Sequence, residues 1–146
     1  VKHIAKPLAA ALVIFCVCFF ALPRAAGSYA YVSLIFKINE NELERAAAAL
    51  RAGGAPSLDG LCGVRGPSVI SADGTVDFAC ASFGIAPAGW YAGIYNSPDG
   101  APKGFRGVEM KLRRSGGGWE YAEPGGDNRY ITRRIIGNWY YYRMSF

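Results

Sequence analysis

The chain opens on an unbroken apolar run, Leu8 to Leu22, with Lys2, His3 and Lys6 ahead of it and Pro23 and Arg24 behind it. A basic start before fifteen apolar residues has the form of an export signal. The run is short of the ~17–25 residues that comfortably span a bilayer as a helix. Pro23 ends the apolar helix where cleavage is expected, and Ala26-Gly27-Ser28 and Ser28-Tyr29-Ala30 supply triplets with small residues. Arg24 is more typical of a retained anchor. Residues 1–28 are therefore read as a signal peptide or an N-terminal membrane anchor. Either way Lys2 and Lys6 hold the start inside, and residues 29–146 form an exported domain. Its expected location is the periplasm, tethered to the inner membrane if the segment is kept.

Within the exported part, Tyr29 to Ile38 is dense in aromatic and β-branched residues and predicts a strand. Asn39 followed by Glu42 resembles a capping box, and Leu43, Ala46, Ala47 and Leu50 recur at helical spacing, so a helix is expected over about 40–52, stopped by Gly53 and Gly54. Turn signals then arrive every ~8–12 residues, as in an array of strands. Val69-Ile70 and Val76 to Phe78 flank Asp73-Gly74, and Gly89 to Tyr95 forms another strand. Val108, Met110 and Leu112 alternate with Glu109, Lys111 and Arg113, the clearest half-buried strand in the chain. Trp119 to Ala122 follows, and Arg129 to Ile136 and Trp139 to Phe146 close around Gly137-Asn138. The fold class expected is α+β: one N-terminal helix packed on a curved antiparallel sheet of about five to seven strands in meander order, behind the hydrophobic export segment.

Composition adds compartment and charge. Nineteen glycines among 146 residues are nearly twice the usual ~7% share, which suits a turn-rich sheet. Of the net charge of +5, three units belong to Lys2, Lys6 and Arg24. The remainder is too weakly basic for nucleic acid, although residues 101–146 hold nine bases against four acids. The expected partner is a protein or an anionic envelope polymer, with membrane contact through the N-terminal segment if it is uncleaved. Cys16 and Cys18 act as small hydrophobes inside the apolar run. In an oxidising compartment Cys62 and Cys80 are expected to form a disulfide, closing a loop at a gain of roughly 3 kcal/mol. The hairpin register sets Pro67 opposite Cys80, so such a bridge pins the Gly60 to Gly66 loop onto the hairpin.

His3 is the only histidine. The exported domain is therefore closed to Ser-His-Asp, Cys-His and histidine-metal chemistry, and neither a metal nor a cofactor is expected. Asp73, Asp77, Glu109, Glu120 and Glu123 are available to a paired-carboxylate mechanism. Asp73 reads as a turn residue, however, and Asp77, Glu109 and Glu120 fall on solvent-facing strand positions.

The terminal hairpin is the better candidate. Its turn sets Ile136 opposite Trp139, Arg134 opposite Tyr141, Thr132 opposite Arg143 and Tyr130 opposite Ser145. One face then shows Trp139, Tyr141 and Tyr130 interleaved with Arg134 and Arg143, a set suited to stacking on sugars or grasping anions. The plainer account is ordinary cross-strand pairing. If the face is exposed, alanine at Arg134, Tyr141 and Arg143 costs under ~0.5 kcal/mol each. The function expected is that of a small exported, non-catalytic binding or accessory protein acting by surface recognition of an envelope component or protein partner. The alternatives are an immunity protein or inhibitor neutralising a periplasm-acting toxin or enzyme, and a small hydrolase using paired carboxylates.

Overall fold

A computed structural model describes residues 10–18, 22–65, 69–85 and 88–146. Lys2, His3 and Lys6 of the basic start, and Gly66 and Pro67 beside the first hairpin, lie outside the described residues. Residues 10–18 are helical, and Leu12, Val13, Ile14, Phe15 and Val17 are exposed. Among the described residues no helix is long and apolar enough to cross a membrane.

Two helices follow, α1 (Leu22–Ala26) and α2 (Tyr29–Arg51). The strand expected over Tyr29 to Ile38 is instead the first half of α2. Its buried residues Val32, Ile35, Phe36, Asn39, Leu43, Ala46 and Ala47 form one helical face that runs through both halves. The β-branched residues cost only tenths of a kcal/mol each in a helix, and burying that face on the sheet outweighs the cost. Ser28 is the true N-cap, its hydroxyl accepting from the Tyr31 N–H at 3.3 Å.

Asn39 therefore lies inside the helix and caps nothing. Its buried carboxamide donates to the Ile35 carbonyl at 2.7 Å, and it both donates to Cys62 O and accepts from Cys62 N at 2.9 Å. The stop at Gly53-Gly54 is as expected. Gly53 takes φ 80°, and the Gly53 and Gly54 N–H groups return to Leu50 O and Ala49 O in a Schellman arrangement.

The strands are β1 (Val69–Ile70), β2 (Val76–Ile85), β3 (Ala88–Asn96), β4 (Arg113–Ser115), β5 (Gly118–Ala122), β6 (Arg129–Ile136) and β7 (Trp139–Ser145). They form one antiparallel seven-stranded sheet in the order β1-β2-β3-β7-β6-β5-β4. The arrangement is not the simple meander expected. Two meanders join where β3 pairs with β7, so the last strand of the chain lies at the centre of the sheet.

The connection from β3 to the far edge at β4 is residues 97–112, a strap across one sheet face with a short 3-10 turn at Phe105–Gly107. The strand expected at Val108 to Leu112 is part of this strap. Met110 and Leu112 pack down onto the sheet from above and Val108 is exposed. The alternation is that of a segment lying on a surface.

Both sheet faces are thus covered. Helix α2 buries Phe78, Cys80, Ala92, Ile94, Trp139 and Tyr141 on one side. On the other, Tyr95, Tyr130, Tyr140, Tyr142 and Met144 lie under Phe105, Met110 and Leu112 of the strap. Three phenol groups hold the strap down. Tyr95 accepts from Lys103 N at 3.0 Å, Tyr130 donates to Lys103 O at 2.9 Å, and Tyr140 donates to Gly100 O at 2.5 Å. Glycine is required beneath Tyr142, because a Cβ on Gly93 would meet that ring at 2.7 Å and Phe78 O at 2.2 Å.

Candidate functional site

In the terminal hairpin, Ile136 faces Trp139 as expected, but a β-bulge between Arg134 and Ile136 then shifts the register. Arg134 faces Tyr140, Arg133 faces Tyr141, Thr132 faces Tyr142, Ile131 faces Arg143 and Tyr130 faces Met144. Since strand side chains alternate with period two, a one-residue shift reassigns the pairs on every face. Trp139, Tyr141 and Arg143 go to the helix side, whereas Tyr130 and Arg134 go to the strap side.

The exposed basic aromatic face is consequently not formed. Trp139 and Tyr141 are 2% and 3% exposed and Tyr130 is fully buried. Trp139 donates from Nε1 to Glu44 Oε1 at 2.5 Å and packs on Phe36 and Phe78. Tyr141 donates to Gly27 O at 2.8 Å, and its ring meets Tyr29 edge-on; burial pushes its phenol up to about 12. Arg134 donates to Gly100 O at 2.8 Å and to the Tyr140 hydroxyl at 2.6 Å. Arg143 is half-buried with its guanidinium 4.6 Å from the Trp90 ring centre. Trp139 and Tyr141 brace the helix side, Tyr130 and Arg134 hold the strap, and Arg143 stacks on Trp90 of β3.

The carboxylates are dispersed. Asp77 is buried, against the expectation that it faces solvent. The strand pleat turns it away from Val76 and Phe78 as expected, but the face it meets is the one beneath the strap. It accepts from the Tyr142 hydroxyl at 2.9 Å. Burial raises its pKa to about 7, opposed by the Tyr142 hydrogen bond and the Arg106 charge. Asp73 occupies the turn, accepting from Thr75 N at 3.0 Å. Lys103 bridges Asp73 at 3.1 Å and Asp99 at 2.6 Å. The hydrogen bond from Lys103, then those from Ala101 and Ser97, hold Asp99 well below the usual carboxylate range. Glu109 and Glu120 are exposed. Among the described residues no cluster of histidine, cysteine, aspartate and glutamate could hold a metal ion.

In the structure Cys62 is an exposed thiol and Cys80 a buried one, with no bond between them. The loop is held by other means, the Asn39 carboxamide on Cys62 and the Arg65 N–H on Ala79 O at 2.6 Å. Burial, with Asp77 adding to it, pushes the Cys80 thiol up to about 12. Iodoacetamide will therefore alkylate Cys62 in the native protein and Cys80 only after denaturation. Mass spectrometry reads this directly, and a species two hydrogens lighter that resists alkylation at both positions would restore the bridge.

Exposed aromatic rings also line a cleft of about 510 Å³ at the turn end of the β2–β3 hairpin. Gly84 and Gly89 face each other there and contribute no side chains. Phe146 is tied in by its N–H to Gly89 O at 3.0 Å. Tyr91 and Phe146 stand edge to face with centres 5.9 Å apart, and Phe105 lies 6.2 Å from each. Tyr91 is 40% and Phe146 37% exposed.

Arg106 sits in the left-handed region at φ 50° and holds its guanidinium 5.7 Å from the Tyr91 centre and 5.1 Å from that of Phe105. A non-glycine residue there is strained, as residues at binding sites often are. Asp127 and Asn128, from the β5–β6 turn, line the same cleft with Ser82 and Trp90. Among the described residues the side chains of Ser82, Asp127 and Asn128 make no hydrogen bond or ion pair.

Sequence reasoning missed this cleft because its walls come from a hairpin end, a distant turn and the last residue. The only local signal was the pair of glycines at 84 and 89. Comparison with protein-family models, with curated proteins and with solved structures finds no match to this chain.

Proposed function

We propose that this chain is a small exported binding protein that recognises an envelope component or protein partner through its surface, and that it is not an enzyme. The observation that carries the reading is the aromatic cleft. It is concave, of a size typical of small-ligand sites, and walled by half-exposed rings beside polar side chains that have no partner among the described residues. Among the described residues its lining holds a single carboxylate, Asp127, whereas a glycosidase-like mechanism needs two facing each other. That favours binding over the hydrolase reading.

Export through residues 1–28 belongs to the same proposal and is supported by the apolar side chains of residues 12–17, which are left exposed. A cut after Ser28 would remove both the α2 N-cap and the Gly27 carbonyl that Tyr141 binds. Retention of the segment, or cleavage ahead of Gly27, fits the packing better.

The test is sedimentation of the full chain, kept in mild detergent, with detergent-washed bacterial envelopes. Detergent removes the apolar segment's own pull toward membrane. Wild type will pellet with the envelopes, and Tyr91→Ala will stay in the supernatant. Wild type that stays in the supernatant, or a Tyr91→Ala variant that pellets equally, overturns the reading.

A further inference from the structure

The structure assigns a ligand class to the cleft: we infer that it binds a neutral pyranose chain, stacked on Tyr91 and Phe146 and hydrogen-bonded by Asp127 and Asn128. This deepens the binding-protein reading and rests on it. Three features of the cleft select the ligand, beginning with its rings.

Tyr91 and Phe146 meet at 84° and are each more than a third exposed, so each offers a ring face or edge to the cleft. The C–H face of a pyranose is apolar and packs on such rings, while its hydroxyls project from the rim of the sugar. Polar groups are needed at that rim.

The second feature is the supply of those groups. Asp127 provides two acceptor oxygens, Asn128 both a donor and an acceptor, and Ser82 a hydroxyl. All three line the cleft and none is used inside the chain among the described residues. A carboxylate beside a carboxamide can take a hydrogen from one sugar hydroxyl and donate to its neighbour, and hydrogen bonds to a charged group are the stronger kind. The facing glycines, Gly84 and Gly89, line the cleft with backbone alone.

Charge is the third feature, and it disposes of the rival ligands. Aromatic boxes also hold quaternary ammonium groups, but Arg106 already places a cation 5.7 Å from the centre of Tyr91 and would repel a second. An anionic ligand meets the Asp127 carboxylate in the cleft lining. A neutral polyhydroxylated molecule is repelled by neither.

The experiment titrates the full chain in detergent with chitotetraose, cellotetraose and maltotetraose. Tryptophan fluorescence follows binding at Trp90, and saturation-transfer NMR identifies the bound sugar protons. At least one tetrasaccharide will bind. Asp127→Ala and Asn128→Ala, both outside the core, will weaken it about tenfold each with an unchanged melting temperature, and Tyr91→Ala will abolish it. Choline chloride and inorganic phosphate will leave the signals unchanged. The inference is overturned if none of the three sugars registers at about 10 mM, about 5.5 kcal/mol weaker than micromolar binding. It is also overturned if choline or phosphate binds in their place, or if the sugar binds equally to Asp127→Ala and Asn128→Ala.

The two readings fail separately. Retention on envelopes that the tetrasaccharides neither match nor compete away removes the sugar and leaves the binding protein. Sugar binding without envelope retention does the reverse.

Discussion

Asp77→Asn will raise the melting temperature by roughly 15 °C at pH 8 and change it little at pH 4. Asp77 is buried beneath the strap with one hydrogen bond, from Tyr142, and its pKa stands at about 7 against 3.8 in solvent. Below pH 4 the carboxyl is protonated in both folded and unfolded chains and contributes no difference. Between about 4 and 7 the unfolded chain releases the proton and the folded one keeps it, so stability falls as pH rises. The full loss, reached above pH 7, is on the order of 4 kcal/mol.

The amide keeps an acceptor for Tyr142 and carries no charge, so the variant escapes that loss. Asp73 and Asp99 have the opposite sign. Their folded pKa values are lowered, and the stability they add is lost as pH falls below their unfolded value near 3.8. Both remain in the variant, so the acid limb will be shared and only the alkaline limb will separate. Thermal melts from pH 3 to 9 check this, and parallel curves across the whole range would mean that the carboxyl is solvated.

The hairpin gives the second large effect. Arg134→Ala, Tyr141→Ala and Arg143→Ala combined will unfold the domain or lower its melting temperature by more than about 15 °C, because truncating a buried aromatic costs ~3–5 kcal/mol. The sequence pattern, which put these side chains on an open face, leads instead to a change of a few degrees. Tyr141→Phe separates packing from hydrogen bonding. It keeps the ring against Tyr29 and loses only the bond to Gly27 O, so it will cost about 1 kcal/mol. Arg134→Ala alone will loosen the strap at Gly100, seen as faster amide exchange over residues 97–104, with a small change in melting temperature. Circular dichroism melts of the three variants check the order, and a triple variant as stable as wild type would return the hairpin to the surface.

The misplaced face shows how a local reading loses a site. The turn at Gly137-Asn138 and both strand spans were legible, because turn residues and alternation are properties of neighbouring positions. The bulge at Ile135 was not, because nothing in a run such as Arg133-Arg134-Ile135-Ile136 distinguishes a paired residue from a looped-out one. The first hairpin repeats the lesson. Its loop runs from Ser71 to Thr75 with Gly74 at φ 80°, so Val76 pairs with Ile70 and the register is again one residue from that expected. The Tyr29 to Ile38 segment failed for a different reason. Residue type favoured a strand, while the spacing of Val32, Ile35, Phe36 and Asn39 already followed a helix, and spacing prevails because it sets which face can be buried.

By itself the sequence determined an α+β fold, the stop of the helix at Gly53-Gly54, the turn residues and most strand positions. Each depends on backbone preference or on periodicity over a few residues. Tertiary structure alone decided that β7 lies at the sheet centre and that the 97–112 strap covers the second face. It also decided that Asp77 is buried and that Tyr91, Phe146, Asp127 and Asn128 share one cleft. These outcomes depend on which distant strands pair and what lies above them, and that choice is made by burying two sheet faces at once.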